Sequence, residues 1–454
     1  MKKPNYVLIY EQLKSIILEG VYKEHQKLPS KRKLAENFDV SPLTVDIAYQ
    51  QLIAEGYVYA IEKKGYYVEK NVLFPLQKQI DTHQKTPVKK EKKEKDLYET
   101  NVVDTSLFPN TTWAKLSREV ISENHHEMLN VTEPQGLYEL RVEIKRFLEL
   151  YRGMHVPAER IIIGSGTTSL IGMLVEMLGR SLCYGIEKPG YSRIEQLFLG
   201  NGVHLRHISI DHQGISVQEL FNHHIDVCHV TPSHQFPTGI VMPISRRIEL
   251  LNWASTQDTY IIEDDYDSEF RFQGKPIPAL HGLDQHDRVI YMNTFSKSLA
   301  PSFRVSYMVL PAHLISKYTI LSTYHSCTVP TFDQYVFYKF MYHGFFERHI
   351  NRMRHHYRQK LDIIRDVCEH DPSITLHGDE AGLHFVMEVK HMTTTELKQR
   401  LNKHNLHILM LNEEDVKHIF KYPCLVIGYS GIKLDAIKPS FEKLLTIIGG
   451  HDHA

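Results

Sequence analysis

Cysteine is scarce and unpatterned. The five that occur in 454 residues (Cys183, Cys228, Cys327, Cys368 and Cys424) are widely spaced, and no CxxC is present. That excludes a disulfide framework and suits reduced thiols in a cytoplasm. No run of 18 apolar residues occurs, so no membrane span is expected. The opening stretch MKKPNYVLIYEQLKSIILEG starts basic and turns apolar. Glu11, Gln12, Lys14 and Glu19 interrupt it and no small-residue cleavage site follows, so a signal peptide is not expected. Neither charge sign is in excess: 53 Lys and Arg face 54 Asp and Glu, a formal charge of −1. This balance speaks against a chain devoted wholly to nucleic acid. The 29 histidines form no HExxH or other ligand spacing; they read as solvated or packing residues, and no metal is expected. What remains is a soluble, cytoplasmic, globular chain with room for about three domains.

One composition shift divides it. Residues 81–96, DTHQKTPVKKEKKEKD, have almost no apolar side chain and no period. Such a segment cannot bury enough surface to offset its ordering entropy, so a flexible charged linker is expected. The expected layout is a module over 1–75, a linker over 76–99 and a body over 100–454.

In the module, Tyr6, Ile9, Tyr10, Leu13, Ile16 and Ile17 recur at helical spacing. In LPSKRKLAENFDV, Ser30 is placed to cap a short helix carrying Leu34, Ala35 and Phe38 inward. Ser41 can cap the next, with Pro42 at its first position, where a missing N–H does no harm. Two short helices and a tight turn are helix-turn-helix logic, and YVYAIE and GYYVE around Lys63-Lys64-Gly65 read as a β-hairpin wing. The run LPSKRKLAENFDVSPLTVDIAYQQLIAEGYVYAIEKKGYYV resembles the winged helix-turn-helix of GntR-type bacterial regulators. That resemblance implies double-stranded DNA, a promoter operator, as partner. It places Ser30, Arg32, Thr44 and Gly65 at the contact, with Lys31, Lys63 and Lys64 toward phosphates. Pro42 and Asp46 stand where relatives commonly carry Arg. Residues 1–75 hold 11 basic and nine acidic side chains, a net +2, so one copy should bind weakly and two copies are needed.

From residue 100 onward, apolar runs ending in polar residues (RIIIGSG, SLCYGIEK, IDVCHVTPS, TYIIEDDYD, RVIYMNTFS) alternate with helical stretches. That alternation predicts a mostly parallel sheet with its chemistry at the carboxyl ends of the strands. There lie the Gly164-Ser165-Gly166-Thr167-Thr168 turn, which can cradle a phosphate on free N–H groups. There too lie Tyr191 after Pro189-Gly190, the acidic cluster Glu263-Asp264-Asp265-Tyr266-Asp267, and Lys297 between two serines with Arg304 following. A divalent metal is the rival reading of the acidic cluster. A lysine near buried apolar surface has a lowered pKa and serves as an amine nucleophile. Cup, aromatic, carboxylate, lysine and arginine together are what pyridoxal 5'-phosphate (PLP) requires.

DTSLFPNTTW, EPQGLYELR, EKPGYSR, TPSHQFPTG, IIEDDYDSEFRF, NTFSKSLAPSFR and RHINRMRHHY resemble a fold-type I aminotransferase domain of the kind fused to GntR-type winged helices in MocR-type regulators. The resemblance implies an N-terminal α/β winged helix-turn-helix. It also implies a C-terminal α/β, fold-type I PLP-dependent transferase-like domain, its sheet mostly parallel, with a smaller C-terminal subdomain. Lys297 is then the Schiff-base lysine, Asp264 the partner of the pyridine nitrogen, Tyr266 that of the phenolic oxygen, and Tyr191 the stacking ring. Ser165, Gly166, Thr167, Ser296 and Arg304 hold the phosphate, and Arg193 faces an effector carboxylate. Phe236 stands where active aminotransferases carry Asn, and LVIGYS presents Val426 for their α-carboxylate Arg in R-x-S-[YF]. The resemblance thus implies a homodimeric PLP-dependent regulator sensing PLP or a small amine or amino-acid-like effector through the Lys297 aldimine. A working aminotransferase with an accessory DNA-binding domain is the alternative.

Overall fold

The computed structural model describes residues 5–70, 97–100, 102–124, 126–273 and 277–449. Residues 76–96 of the charged segment lie outside the described residues. The chain forms two units, residues 1–91 and 92–454.

The small unit holds α1 (Asn5–Leu18), α2 (Lys31–Phe38), α3 (Pro42–Ala54), and the hairpin of β1 (Val58–Ile61) and β2 (Gly65–Val68). Ile9, Leu13 and Ile17, four residues apart, form the buried stripe of α1. Ser30 Oγ accepts from the Lys33 N–H at 3.4 Å and Ser41 Oγ from the Thr44 N–H at 3.2 Å, so both serines cap as the sequence predicts. Pro42 begins α3. The core closes around Tyr49, whose ring stacks on Tyr66 at 4.1 Å and whose hydroxyl donates to the Pro29 carbonyl. β1 and β2 pair antiparallel from Val58↔Val68 to Ile61↔Gly65. Gly65 has φ +118°, a conformation that glycine adopts without strain, and a Cβ there would press on the Lys27 side chain.

The large unit is built on β3 (Ile161–Gly164), β4 (Cys183–Lys188), β5 (His204–Asp211), β6 (Gly214–Ile215), β7 (Val227–Val230), β8 (Tyr260–Asp264), β9 (Val289–Thr294) and β10 (Ser306–Val309). They form one sheet in the order β3-β10-β9-β8-β7-β4-β5-β6, parallel from β5 through β9, with β10 antiparallel to both neighbours. β3, β7, β9 and β10 are buried at every position and are mostly apolar, with His229 a polar residue inside β7. A second sheet, β11 (Ile374–His377), β12 (His384–Val389), β13 (Leu409–Met410) and β14 (Cys424–Gly428), is antiparallel in the order β11-β12-β14-β13. Among the described residues no helix is long and apolar enough to cross a membrane.

Residues 97–99, allotted to the linker by composition, belong to the packing of the large unit. Tyr98 is buried edge-on to Phe441, its hydroxyl donates to the Ser440 carbonyl, and its own carbonyl accepts from the Gly428 N–H. One aromatic anchor outweighs the charged composition of the residues before it.

Candidate functional site

A cavity of about 220 Å³ opens at the carboxyl ends of the parallel strands. Thr167, Thr168, Ser296 and Arg304 line part of its wall. Gly166 has φ +89°, a conformation that favours glycine, and the Arg304 guanidinium lies against it, where a Cβ would displace that side chain. Ser165 and Gly166 precede the helix Thr167–Leu178 without lining the cavity, and the Ser165 N–H is taken by Thr328 Oγ1 at 2.9 Å.

Tyr191, Arg193, Asp264, Tyr266 and Lys297 line the same cavity. The Tyr191 ring lies edge-on to Phe236 at 5.2 Å, and the Tyr266 hydroxyl donates to the His234 carbonyl at 2.9 Å. Lys297 Nζ donates to the Thr100 carbonyl at 3.3 Å. Burial pushes its pKa down to about 8, against the opposing fields of Asp267 and Glu99.

The acidic cluster is divided among separate partners. Glu263 accepts from the N–H groups of Leu280 and His281, Asp265 is bound by Arg152 and the Tyr291 hydroxyl, and Asp267 lies 3.0 Å from His234 Nδ1. Of the four, Asp264 faces the cavity, with His229 Nε2 at 3.4 Å from its Oδ2. Like charges are thus separated by hydrogen-bond donors and by the Arg152 guanidinium.

Several residues at the site were not singled out from sequence. His229 is one, and its signal was a polar residue inside the buried strand VCHV. Glu187 is another: burial raises its pKa, one oxygen accepts from Thr231, and the other has no hydrogen-bond partner. His234, Asp267 and His384 form a buried cluster of metal-ligand type. His234 is satisfied there by Asp267 and by the Gly378 carbonyl at 3.3 Å.

Val426 requires a correction. It pairs with Val386 and is buried with Leu411, Val416 and Phe420, and it does not line the cavity. The R-x-S spacing is met instead at Gly428-Tyr429-Ser430. A Cβ on Gly428 would collide with the Glu99 carbonyl and with Thr100. The Ser430 hydroxyl donates to the Val102 carbonyl at 2.6 Å. Backbone of Glu99 and Thr100 therefore occupies the space where a long side chain at position 428 would start.

Residues 100–421 match the model of aminotransferase class I and II, and residues 5–68 that of the bacterial regulatory proteins of the gntR family. The chain is 36% identical to the uncharacterised HTH-type transcriptional regulator YdeL of Bacillus subtilis, over 97% of this chain and 96% of that one. It is 30% identical to the probable rhizopine catabolism regulatory protein MocR of Rhizobium meliloti, covering 84% of this chain and 81% of that one. In fold, the kynurenine aminotransferase of Pyrococcus horikoshii superposes with a TM-score of 0.68 at 23% identity, covering 79% of this chain and 91% of that one. Fold and matches together define a GntR winged helix-turn-helix joined to a fold-type I aminotransferase domain, a domain family whose members use PLP. The chain belongs to the MocR-type, HTH-type transcriptional regulators.

Proposed function

We propose that this chain is a PLP-dependent, DNA-binding regulator whose large unit senses PLP itself or a small amine or amino-acid-like effector. The observation that carries the reading is the convergence, in one cavity, of Lys297 with its lowered pKa, Asp264 beside His229, and a hydroxyl-lined wall closed by Arg304. That donor set fits a phosphorylated pyridine ring. Thr167, Ser296 and Arg304, with the Ser165-Gly166 turn, would hold the phosphate. Asp264 would keep a proton on the ring nitrogen, Tyr266 would face the phenolic oxygen, and Tyr191 would cover the ring. When bound, PLP supplies an electrophilic carbonyl carbon to which an amine adds. Lys297 provides that amine, and its lowered pKa leaves a usable neutral fraction near neutrality. Arg193 offers a guanidinium to an effector carboxylate.

Gly428, the Glu99 and Thr100 backbone against it, and Phe236 favour sensing over turnover. No arginine clamp is available at that strand end, so an amino acid would lack the bidentate orientation that fast proton transfer needs.

The proposed division is a DNA-binding module over 1–75, a linker over 76–99 whose end is anchored by Tyr98, and a sensing and dimerising body over 100–454. Ser30, Arg32, Thr44 and Gly65 would face an operator, with Lys31, Lys63 and Lys64 toward its phosphates. A homodimer would present two such modules. The test is retardation of the chain's own promoter region at moderate salt, with and without PLP. Sequence-specific retardation that PLP alters supports the reading, and its absence overturns it.

A further inference from the structure

The outward face of α3 is chemically narrow. Leu43, Ile47, Gln50 and Ala54, at steps of four, three and four residues, form one exposed stripe opposite the buried Val45, Ala48, Tyr49 and Leu52. Leu43 is 69% exposed and Ile47 45%, large apolar surfaces to leave in water at the start of a helix. The only charged side chain of α3, Asp46, is tied in an ion pair to Lys31, which also lies over the Tyr66 ring at 5.5 Å. The same unit exposes Arg32, Lys33, Lys63 and Lys64, cations suited to phosphates.

In the major groove, guanine is read by Arg or Lys and cytosine by Asp or Glu. Adenine is read by Asn or Gln, and the thymine methyl by apolar side chains. The exposed stripe offers only the last two kinds. We infer that α3 reads A·T base pairs, Leu43 and Ile47 seated on thymine methyl groups and Gln50 on an adenine edge. The inference rests on the DNA-binding reading above and adds what that reading leaves open, the bases recognised. Positively charged flanks and a neutral, apolar reading stripe are complementary to a duplex with methyl groups in its groove.

The experiment selects duplexes from a random pool with the full-length protein, then remakes the selected operator with deoxyuridine for thymidine, position by position. Half-sites dominated by A·T are expected. Each methyl lost at a contacted step should weaken binding about fourfold, the worth of one buried methylene-sized group. Leu43→Ala should bind the unmodified operator more weakly by at least that factor and lose its sensitivity to uracil at one step. Gln50→Ala should relax the preference for adenine at its step by about tenfold. Both side chains are exposed, so neither change disturbs the core. Half-sites dominated by G·C, or equal affinity for thymine and uracil duplexes at every position, would overturn the inference while leaving DNA binding standing. If no duplex is selected at all, the DNA-binding reading itself fails.

Discussion

In the small unit the cations assigned to DNA, Arg32, Lys63 and Lys64, stand exposed. In the large unit Asp264, Asp265 and Asp267 near Lys297 are buried and tied to His229, Arg152 and His234, while Arg193 and Arg304 of the cavity stand exposed. The contrast separates two kinds of functional residue. An exposed cation costs the fold little and acts by long-range attraction, so its removal is felt in binding alone. A buried carboxylate or guanidinium survives only because specific donors and acceptors replace water, so its removal is felt in stability as well.

The largest effect that would break this comparison is at Lys297. Lys297→Ala should abolish the visible absorption band that forms when PLP is added, while DNA retardation without PLP persists, because the two sites belong to different units. Retention of the band after substitution would remove Lys297 from its assigned role. Next comes Arg152→Ala, which leaves Asp265 buried and without its ion-pair partner. Breaking a buried pair costs about 3–5 kcal/mol. Thermal unfolding of the large unit should shift down accordingly, and an unchanged transition would show the pair to be dispensable.

A smaller effect is the pH dependence of PLP uptake. With a pKa of about 8, Lys297 is mostly protonated at neutral pH and mostly neutral in mild alkali. The initial rate of band formation should rise about tenfold from pH 7 to pH 9 and level off, whereas a lysine of ordinary pKa would keep climbing through that range. The sign follows from burial, which disfavours the charged amine. A rate that falls with pH would contradict it. Ser41→Ala is smaller still. It removes the cap of α3, at about 1 kcal/mol, and should lower the melting of the small unit only.

Most of the small unit was readable from sequence because its determinants are local. Ser30 and Ser41 each cap a helix through an N–H three residues on, and Pro42 sits at the first helical position. The strand ends carrying Asp264 and Lys297 were readable for a similar reason, since buried parallel strands are apolar runs that stop where polar residues begin. What escaped depends on long-range pairing. The contact of Lys297 with Thr100 joins residues 197 apart, and Tyr98 is anchored by residues more than 300 away. The misplacement at Val426 has a different origin. Counting R-x-S back from Ser430 in LVIGYS already gives Gly428, and the register of β14 with β12, where Val426 meets Val386 and Gly428 meets His384, agrees with that count.

The finest distinction lies inside the small unit, where one surface cation is held as the buried ones are. Lys31 is paired with Asp46, whereas Lys64 is exposed at the hairpin tip. The slope of log affinity against log salt counts the phosphates neutralised, at about 0.9 per contact on duplex DNA. Lys64→Ala should therefore flatten the slope by about that amount, and Lys31→Ala should flatten it much less, because its charge is already spent on Asp46. Asp46→Asn releases Lys31 toward the backbone, and the slope should steepen by up to one contact with tighter binding at low salt. Fluorescence anisotropy with one operator across a salt series measures all three. Equal flattening by Lys31→Ala and Lys64→Ala, with no change in Asp46→Asn, would mean that the pair opens on DNA and that Lys31 already serves as a phosphate contact.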